Sequence, residues 1–390
     1  MVAKRARQKL KYTYLDQRCR ILNSRFFRAA VYWLTYRQSL SFDAGGVDHI
    51  AVFAPPRIGD MAIASSIFHP LKQSFPTSRV SLIANEYVGR MAYHVPGIDN
   101  VSIYRGFMKE AGRFIDKMVY RPYDIAIDLN TDYPVESAVI ASLSGKNSVG
   151  FDIHGRGVFF SESLAIPAKE VHMRDIYMMP LLKIRPDARE GEPFLRVNQE
   201  TIEKIQIQLE QHGIDKNGPN VVIHPGAHFW TQRWPEEYFA SAADWILEDK
   251  DRRVLFIGGP GEKELILKIV RQMRKIPSWV RYDLNIDELI GVISTADLMV
   301  CNNSGPLHIA CAVGTPTIST MGPTVKALWM PLGTGHRVLR LDDLPCIGCN
   351  LGYCKIGTHA CMRNLSPSMM TEAIGRFLKE KNPKVRQHGG

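Results

Sequence analysis

The chain lacks the features that would place it inside a membrane. No apolar run approaches the roughly 18 residues of a spanning helix. In its basic N-terminal stretch the longest apolar run covers residues 29–34, too short for the core of a secretory signal. Cysteine is sparse and odd in number, seven in 390 residues, which fits a reducing cytoplasmic setting better than a disulfide framework. Three common catalytic signatures are missing: a GxxxxGKS/T phosphate loop, an HExxH zinc helix and a GxSxG nucleophile elbow. The single Asp-x-Asp, Asp249-Lys250-Asp251, sits at the charged end of an amphipathic stretch, so a metal held by such a motif is not indicated.

Acidic residues are also nearly absent from one end. Residues 1–40 hold ten Lys and Arg against one acid, Asp16, leaving 39 basic and 38 acidic groups in the remainder. The formal charge of +10 is therefore a terminal appendage on a nearly neutral body. With no RNA- or DNA-reading motif, that distribution argues against a nucleic-acid partner. Leu15, Leu22, Phe26, Phe27, Ala30, Trp33 and Leu34 interleave with the cations, a mix suited to an interfacial helix over residues 13–37 on an anionic membrane surface.

What is present is an alternation of short β-branched runs with helical periods, the pattern of βα units and parallel sheets. Strands are expected over 49–54, 80–84 and 125–129, with helices over 61–75 and 87–93. A stretch rich in Pro, Gly and charge over 185–193 reads as a linker. A second series follows, with strands over 221–223, 254–257, 298–301 and 317–320 and helices over 199–212, 235–247, 262–274 and 306–313. The reading is an extension over 1–45, one Rossmann-like domain over 46–192, a second over 193–365, and a helix with a basic tail over 366–390.

Four strand-to-helix turns concentrate chemistry. Pro55-Pro56-Arg57-Ile58-Gly59-Asp60 places a carboxylate at a helix start, as an N-cap or as a functional acid at the mouth of a sheet. His224-Pro225-Gly226-Ala227, followed by Gln232-Arg233-Trp234-Pro235, sets a cation just before a helix, which suits a phosphate. Gly258-Gly259-Pro260-Gly261-Glu262 fails as GxGxxG because Glu264 stands where the third glycine belongs, yet its acid could hold ribose hydroxyls. Asn302-Asn303-Ser304-Gly305-Pro306, with His308 one turn on, crowds polar groups at a helix N-terminus. Gly322-Pro323-Thr324 could add backbone donors. Cys346, Cys349, Cys354 and Cys361 lie close enough in sequence to hold a structural zinc, or to be small buried residues.

In this order the turns resemble glycosyltransferase family 9, the ADP-heptose:lipopolysaccharide heptosyltransferases, over about residues 48–380. Gly59-Asp60-Met61, Tyr123-Asp124 with Asp128-Leu129, His224-Pro225-Gly226-Ala227, Arg233-Trp234-Pro235 and Asn303-Ser304-Gly305-Pro306 carry the likeness. The resemblance implies a GT-B fold of two Rossmann-like doubly wound domains facing a central cleft. It also implies inverting transfer of heptose from ADP-heptose to the lipopolysaccharide inner core, with no metal, at the cytoplasmic face of the inner membrane. The first domain would take the acceptor and the second the donor. Asp60 would be the general base, with Arg57 and Gly59 toward the acceptor. Gly226, Gln232, Arg233, Glu262, Asn303, Ser304, Gly305, His308 and Thr324 would line the donor site. This sequence departs at Gln232, where the family usually has Lys, and at Asn303, where it usually has Asp. Another nucleotide-sugar, or a catalytically impaired binding homologue, are the competing expectations.

Overall fold

The computed structural model describes residues 46–105, 123–131, 135–167, 170–214 and 219–381. The basic segment and its interfacial stretch over 13–37 lie outside them.

The first sheet has six parallel strands: β1 (His49–Phe53), β2 (Arg79–Ala84), β3 (Asn100–Ile103), β4 (Tyr123–Asp128), β5 (Gly145–Phe151) and β6 (Glu162–Leu164). They lie in the order β3-β2-β1-β4-β5-β6. The second contains β7 (Asn220–His224), β8 (Arg253–Ile257), β9 (Trp279–Arg281), β10 (Leu298–Asn302), β11 (Thr317–Thr320) and β12 (His336–Leu339). Its order, β9-β8-β7-β10-β11-β12, repeats the first. Both are the doubly wound arrangement, in which strand direction of travel reverses beside the first strand and leaves a crevice at the carboxyl ends. The central strands are covered on both faces, which is why β7 and β10 are buried along their whole length.

Two compact units result. Of the described residues, one holds 46–56, 66–105, 123–131, 135–167 and 174–191; the other holds 57–65, 170–173, 192–214 and 219–381. The helix Ile58–Ala64, which carries Asp60, thus belongs to the second unit, where it packs against the helix Gly305–Val313. The core of the second unit joins β7, β8, β10 and the helix Glu236–Ile246 to the helix Pro367–Lys381, through Phe239, Ile246, Phe256, Met370, Ile374 and Phe377.

The helix expected over 61–75 is broken. Ile58–Ala64 and Phe68–Ser74 are separated by a tight turn at Ser65–Ile67. Pro70 has no N–H to return to the Ser66 carbonyl, and the backbone of Gly191 approaches that carbonyl too closely for a Cβ. The helix expected over 262–274 is confined to Lys263–Val270. Strands β3, β5, β6, β9 and β12 escape sequence reading because they are short or carry Gly, Asn and Arg in place of an apolar run.

Candidate functional site

Of the two sequence readings of Asp60, N-cap or functional acid, the structure removes the first: Arg57 occupies the N-cap position and Asp60 lies inside the first turn. Asp60 is buried at 5% exposure and accepts a hydrogen bond from Arg57 Nε at 2.7 Å. Arg57 is thereby engaged with the carboxylate it precedes. Gly59 serves packing. A Cβ there would stand 2.6 Å from Gly305 Cα, so the two helices meet backbone to backbone. That contact brings Asp60 beside the Asn303-Ser304-Gly305 turn. His228 faces the same group. Burial depresses its pKa, Arg57 depresses it further and Asp60 opposes both, so the imidazole is biased toward its neutral form.

At the end of β7 the chain turns through His224-Pro225-Gly226, and at the end of β8 through Gly258-Gly259-Pro260. Glu262 bridges them. Its Oε2 lies 3.1 Å from His224 Nε2 and accepts from the Gly259 N–H at 2.9 Å. Its Oε1 occupies the space a Cβ on Gly226 would need, 1.5 Å away. Gly226 is thus glycine to admit this carboxylate. Burial pushes the Glu262 pKa up, but the charge and hydrogen bond of His224, the Gly259 N–H and the Arg233 charge outweigh it and hold the group at about 2. Arg233 also donates from Nε and Nη2 to the Ala227 carbonyl at 3.3 and 3.1 Å, so its guanidinium is fixed beside the same loop.

Gln232 is a strut. Its Oε1 accepts from Phe229 N, and its Nε2 donates to Thr324 Oγ1 at 3.3 Å. Asn303 donates to the Trp329 carbonyl, and Ser304 has a buried hydroxyl oxygen with no hydrogen-bond partner among the described residues. His308 is buried against Trp329 at 5.8 Å. Burial, with His172 and His336 nearby, drops its pKa to about 3, so it stands as a neutral packed ring.

Two further residues hold this site, and sequence reading passed over both roles. Asn302 donates to the carbonyls of Pro225 and Gly226 and accepts from Trp234 N–H and Thr320 Oγ1, tying four segments together. Arg340 donates to the carbonyls of Met321, Gly322 and Thr324, bracing the loop after β11. Asn302 was visible as part of a polar run, whereas Arg340 had no motif to mark it.

Cys346, Cys349, Cys354 and Cys361 line one small cavity with His359 and are unbridged. Burial, then the three neighbouring thiols, push Cys361 up to about 11. Among the described residues no group of three or more His, Cys, Asp or Glu is arranged to hold a metal ion, so the zinc reading has no support. The loop is held by protein contacts instead: His359 Nε2 meets the Thr231 carbonyl at 2.7 Å, and Thr231 Oγ1 donates to the Leu351 carbonyl. Gly322 leaves room for Met362 and Cys361. Asp249-Lys250-Asp251 is an exposed turn, as its composition suggested.

Comparisons with known proteins identify the family and the fold. Residues 112–357 match the family model Glycosyltransferase family 9 (heptosyltransferase). The chain is 24% identical over 355 residues to lipooligosaccharide heptosyltransferase 2 of Haemophilus influenzae, covering 85% of this chain and 99% of the relative. The solved glycosyl transferase family 9 structure from Veillonella parvula superposes with a TM-score of 0.76 at 20% identity, covering 88% of this chain and all of that one. The ADP-heptose lps heptosyltransferase II structure of Escherichia coli gives 0.72 at 19% identity over 86% of this chain and all of that one. The fold is the GT-B architecture of those structures, and the chain is a glycosyltransferase belonging to glycosyltransferase family 9.

Proposed function

We propose that the protein transfers heptose from ADP-heptose to the inner core of lipopolysaccharide, on a lipid A–Kdo acceptor or its extension, with inversion at the anomeric carbon and without a metal. The family, and relatives named as lipooligosaccharide and lipopolysaccharide heptosyltransferases, support the sugar and the pathway. The observation that carries the donor assignment is the ionised Glu262, wedged against Gly226 beside Arg233 at the carboxyl ends of β7 and β8. That placement suits a carboxylate on ribose hydroxyls and a guanidinium near the diphosphate.

The chemistry follows from these parts. The acceptor hydroxyl oxygen attacks the anomeric carbon as its proton passes to a carboxylate oxygen of Asp60. The bond from that carbon to the diphosphate oxygen breaks, and the negative charge that develops on ADP is met by Arg233 and by the N–H groups that open the helix Gly305–Val313. Attack from the face opposite the leaving group inverts the centre. Residues 13–37 would hold the enzyme at the cytoplasmic face of the inner membrane, where its glycolipid acceptor resides. No helix among the described residues is long and apolar enough to cross a membrane.

A second reading, a different nucleotide-sugar, is favoured by one observation. Gln232 and Asn303, which replace the family's usual Lys and Asp, spend their amides on Thr324 and the Trp329 carbonyl. The test is a panel of nucleotide-sugars incubated with truncated lipopolysaccharide, with and without chelator. Mass spectrometry of the glycolipid identifies the sugar and nuclear magnetic resonance identifies the anomer. Chelator-resistant transfer of heptose with inversion is expected. Transfer of another sugar overturns the donor assignment, and no transfer from any donor overturns the enzymatic one.

A further inference from the structure

The carboxylate of Glu262 is held by one oxygen and free at the other. Oε2 accepts from the Gly259 N–H at 2.9 Å and lies 3.1 Å from His224 Nε2, whereas Oε1 has no hydrogen bond among the described residues. Oε1 rests over Gly226, where an added Cβ would come within 1.5 Å. The last torsion of a glutamate is broad and roughly two-fold, so a carboxylate left to itself presents its oxygens in many orientations. Two donors on one oxygen remove that freedom and leave the other oxygen to a ligand.

The two donors differ in origin. The Gly259 N–H opens the short turn Pro260–Glu262 that carries the acid itself, and a backbone N–H stays whatever the side chain. His224 comes from the end of β7, 38 residues back in the chain. It follows the apolar run Val221-Val222-Ile223 and is 4% exposed. A buried polar ring at such a place costs desolvation, which its hydrogen bonds must offset. It makes one. Nδ1 is buried with no hydrogen-bond partner among the described residues, so the polar chemistry of His224 is spent on Glu262. An ionised carboxylate only accepts, so Nε2 carries the proton of that bond in the neutral ring as in the charged one.

The neighbours are arranged around this contact. His224 Cε1 would stand 2.9 Å from a Cβ on Gly226, so imidazole and carboxylate share the space that the glycine vacates. Arg233 is no substitute as the orienting donor, because its Nε and Nη2 bond to the Ala227 carbonyl. A ribose presents two hydroxyls on adjacent carbons, two donors side by side. Oε1, fixed over the loop that ends β7, lies at the carboxyl edge of the sheet, where doubly wound folds set an acid against such hydroxyls.

We propose that His224 is a positioning residue for donor recognition: it turns Glu262 so that Oε1 takes the ribose diol, and the pair selects nucleotides that carry those hydroxyls. This rests on the ribose role given to Glu262 above, whereas the base and the transferred sugar do not enter. The test uses the full chain and isothermal titration calorimetry with ADP and UDP, each beside its 2′,3′-dideoxy analogue. The parent should bind the ribonucleotide about tenfold more tightly than the dideoxy form, the range of a charge-assisted hydrogen bond. His224→Phe keeps the bulk of a ring and loses the N–H; it should weaken the ribonucleotide about tenfold and leave the dideoxy form unmoved. His224→Gln, which returns an N–H near the same place, should restore most of the difference. In Glu262→Ala the difference should vanish, and adding His224→Phe should then change binding by less than about twofold. Where His224→Phe lowers the melting temperature, His224→Asn, whose amide is too short to reach Oε2, carries the same comparison. A loss shared equally by both forms of the nucleotide, or a parent that binds them alike, overturns the proposal. Preference for UDP with the diol effect intact removes the ADP-sugar donor and keeps the role of His224. Heptose transfer from ADP-heptose in a protein whose His224→Phe variant binds both forms as the parent does keeps the donor and removes that role. Binding of neither nucleotide overturns both.

Discussion

At the carboxyl end of the second sheet the turns carry a half-buried carboxylate held at about 2, a guanidinium pinned by a carbonyl, and glycines that let backbones close on one another. At the carboxyl end of the first, around the same reversal of strand order, the lining is amides, a hydroxyl, a tyrosine and one acid, and the Arg156 guanidinium is turned inward to hold the wall. One topology serves both sheets, so the strands do not decide what each binds. The turn residues do: an acid, a guanidinium and glycines gather at the second sheet, amides and hydroxyls at the first.

Substitutions can break that division or sharpen it. The largest effect belongs to Asp60, which packs with the second unit. Asp60→Asn should lower transfer by ~10²–10⁴ while the ADP dissociation constant is retained, and transfer at the wild-type rate removes Asp60 as the base. Next is Arg233→Ala, expected to lower kcat by ~10²–10³ with the acceptor KM unmoved. A shift confined to the acceptor KM would blur the two sheets' roles. Third, Gly226→Ala must displace Glu262 from its seat, and the donor KM should rise roughly 10- to 100-fold, the range of a lost charge-assisted hydrogen bond. Steady-state kinetics with varied donor checks both.

The smallest effect is one of pH. Because the Glu262 pKa is depressed in the folded protein, its ionised form adds stability that is fully present above the ordinary carboxylate range and fades as pH falls toward about 2. The melting temperature of the parent protein should exceed that of Glu262→Gln at neutral pH, and the gap should close progressively below about pH 4.5. A gap that widens on acidification would mean that His224 and Glu262 are not partners.

Much of the second unit could be read in the sequence because its strands are continuous apolar runs and its turns are dense in Gly, Pro and polar residues. Pro235 ahead of Glu236 and Glu237, and Gly213 after Gln211, marked helix ends that the fold keeps. The family itself was legible from the order of the turns. What stayed hidden was set by distance in the chain. The reach of Asn302 to Pro225 spans 77 residues, the Glu262–His224 pair 38, and Arg156 finds Asn130 across 26. No local period announces such partners. The lining at the first sheet was missed for a second reason: Tyr104 follows a four-residue strand, and Glu136 sits in the first turn of the helix Val135–Ser144, whose apolar residues were not read as an element.

The backbone contact between Gly59 and Gly305 has a consequence for mutational tolerance. Neither position has a functional group to lose, yet the smallest possible enlargement at Gly59 would place a carbon 2.6 Å from its neighbour and push the helix bearing Asp60 away from the turn it adjoins. A displacement of ~1 Å in a reacting group can cost on the order of 10²-fold in rate. In a saturation scan scored by activity, Gly59 would therefore rank near the acid itself with its nucleotide site intact, whereas Gly305, where an added carbon would meet nothing closer than 3.3 Å, would tolerate Ala better.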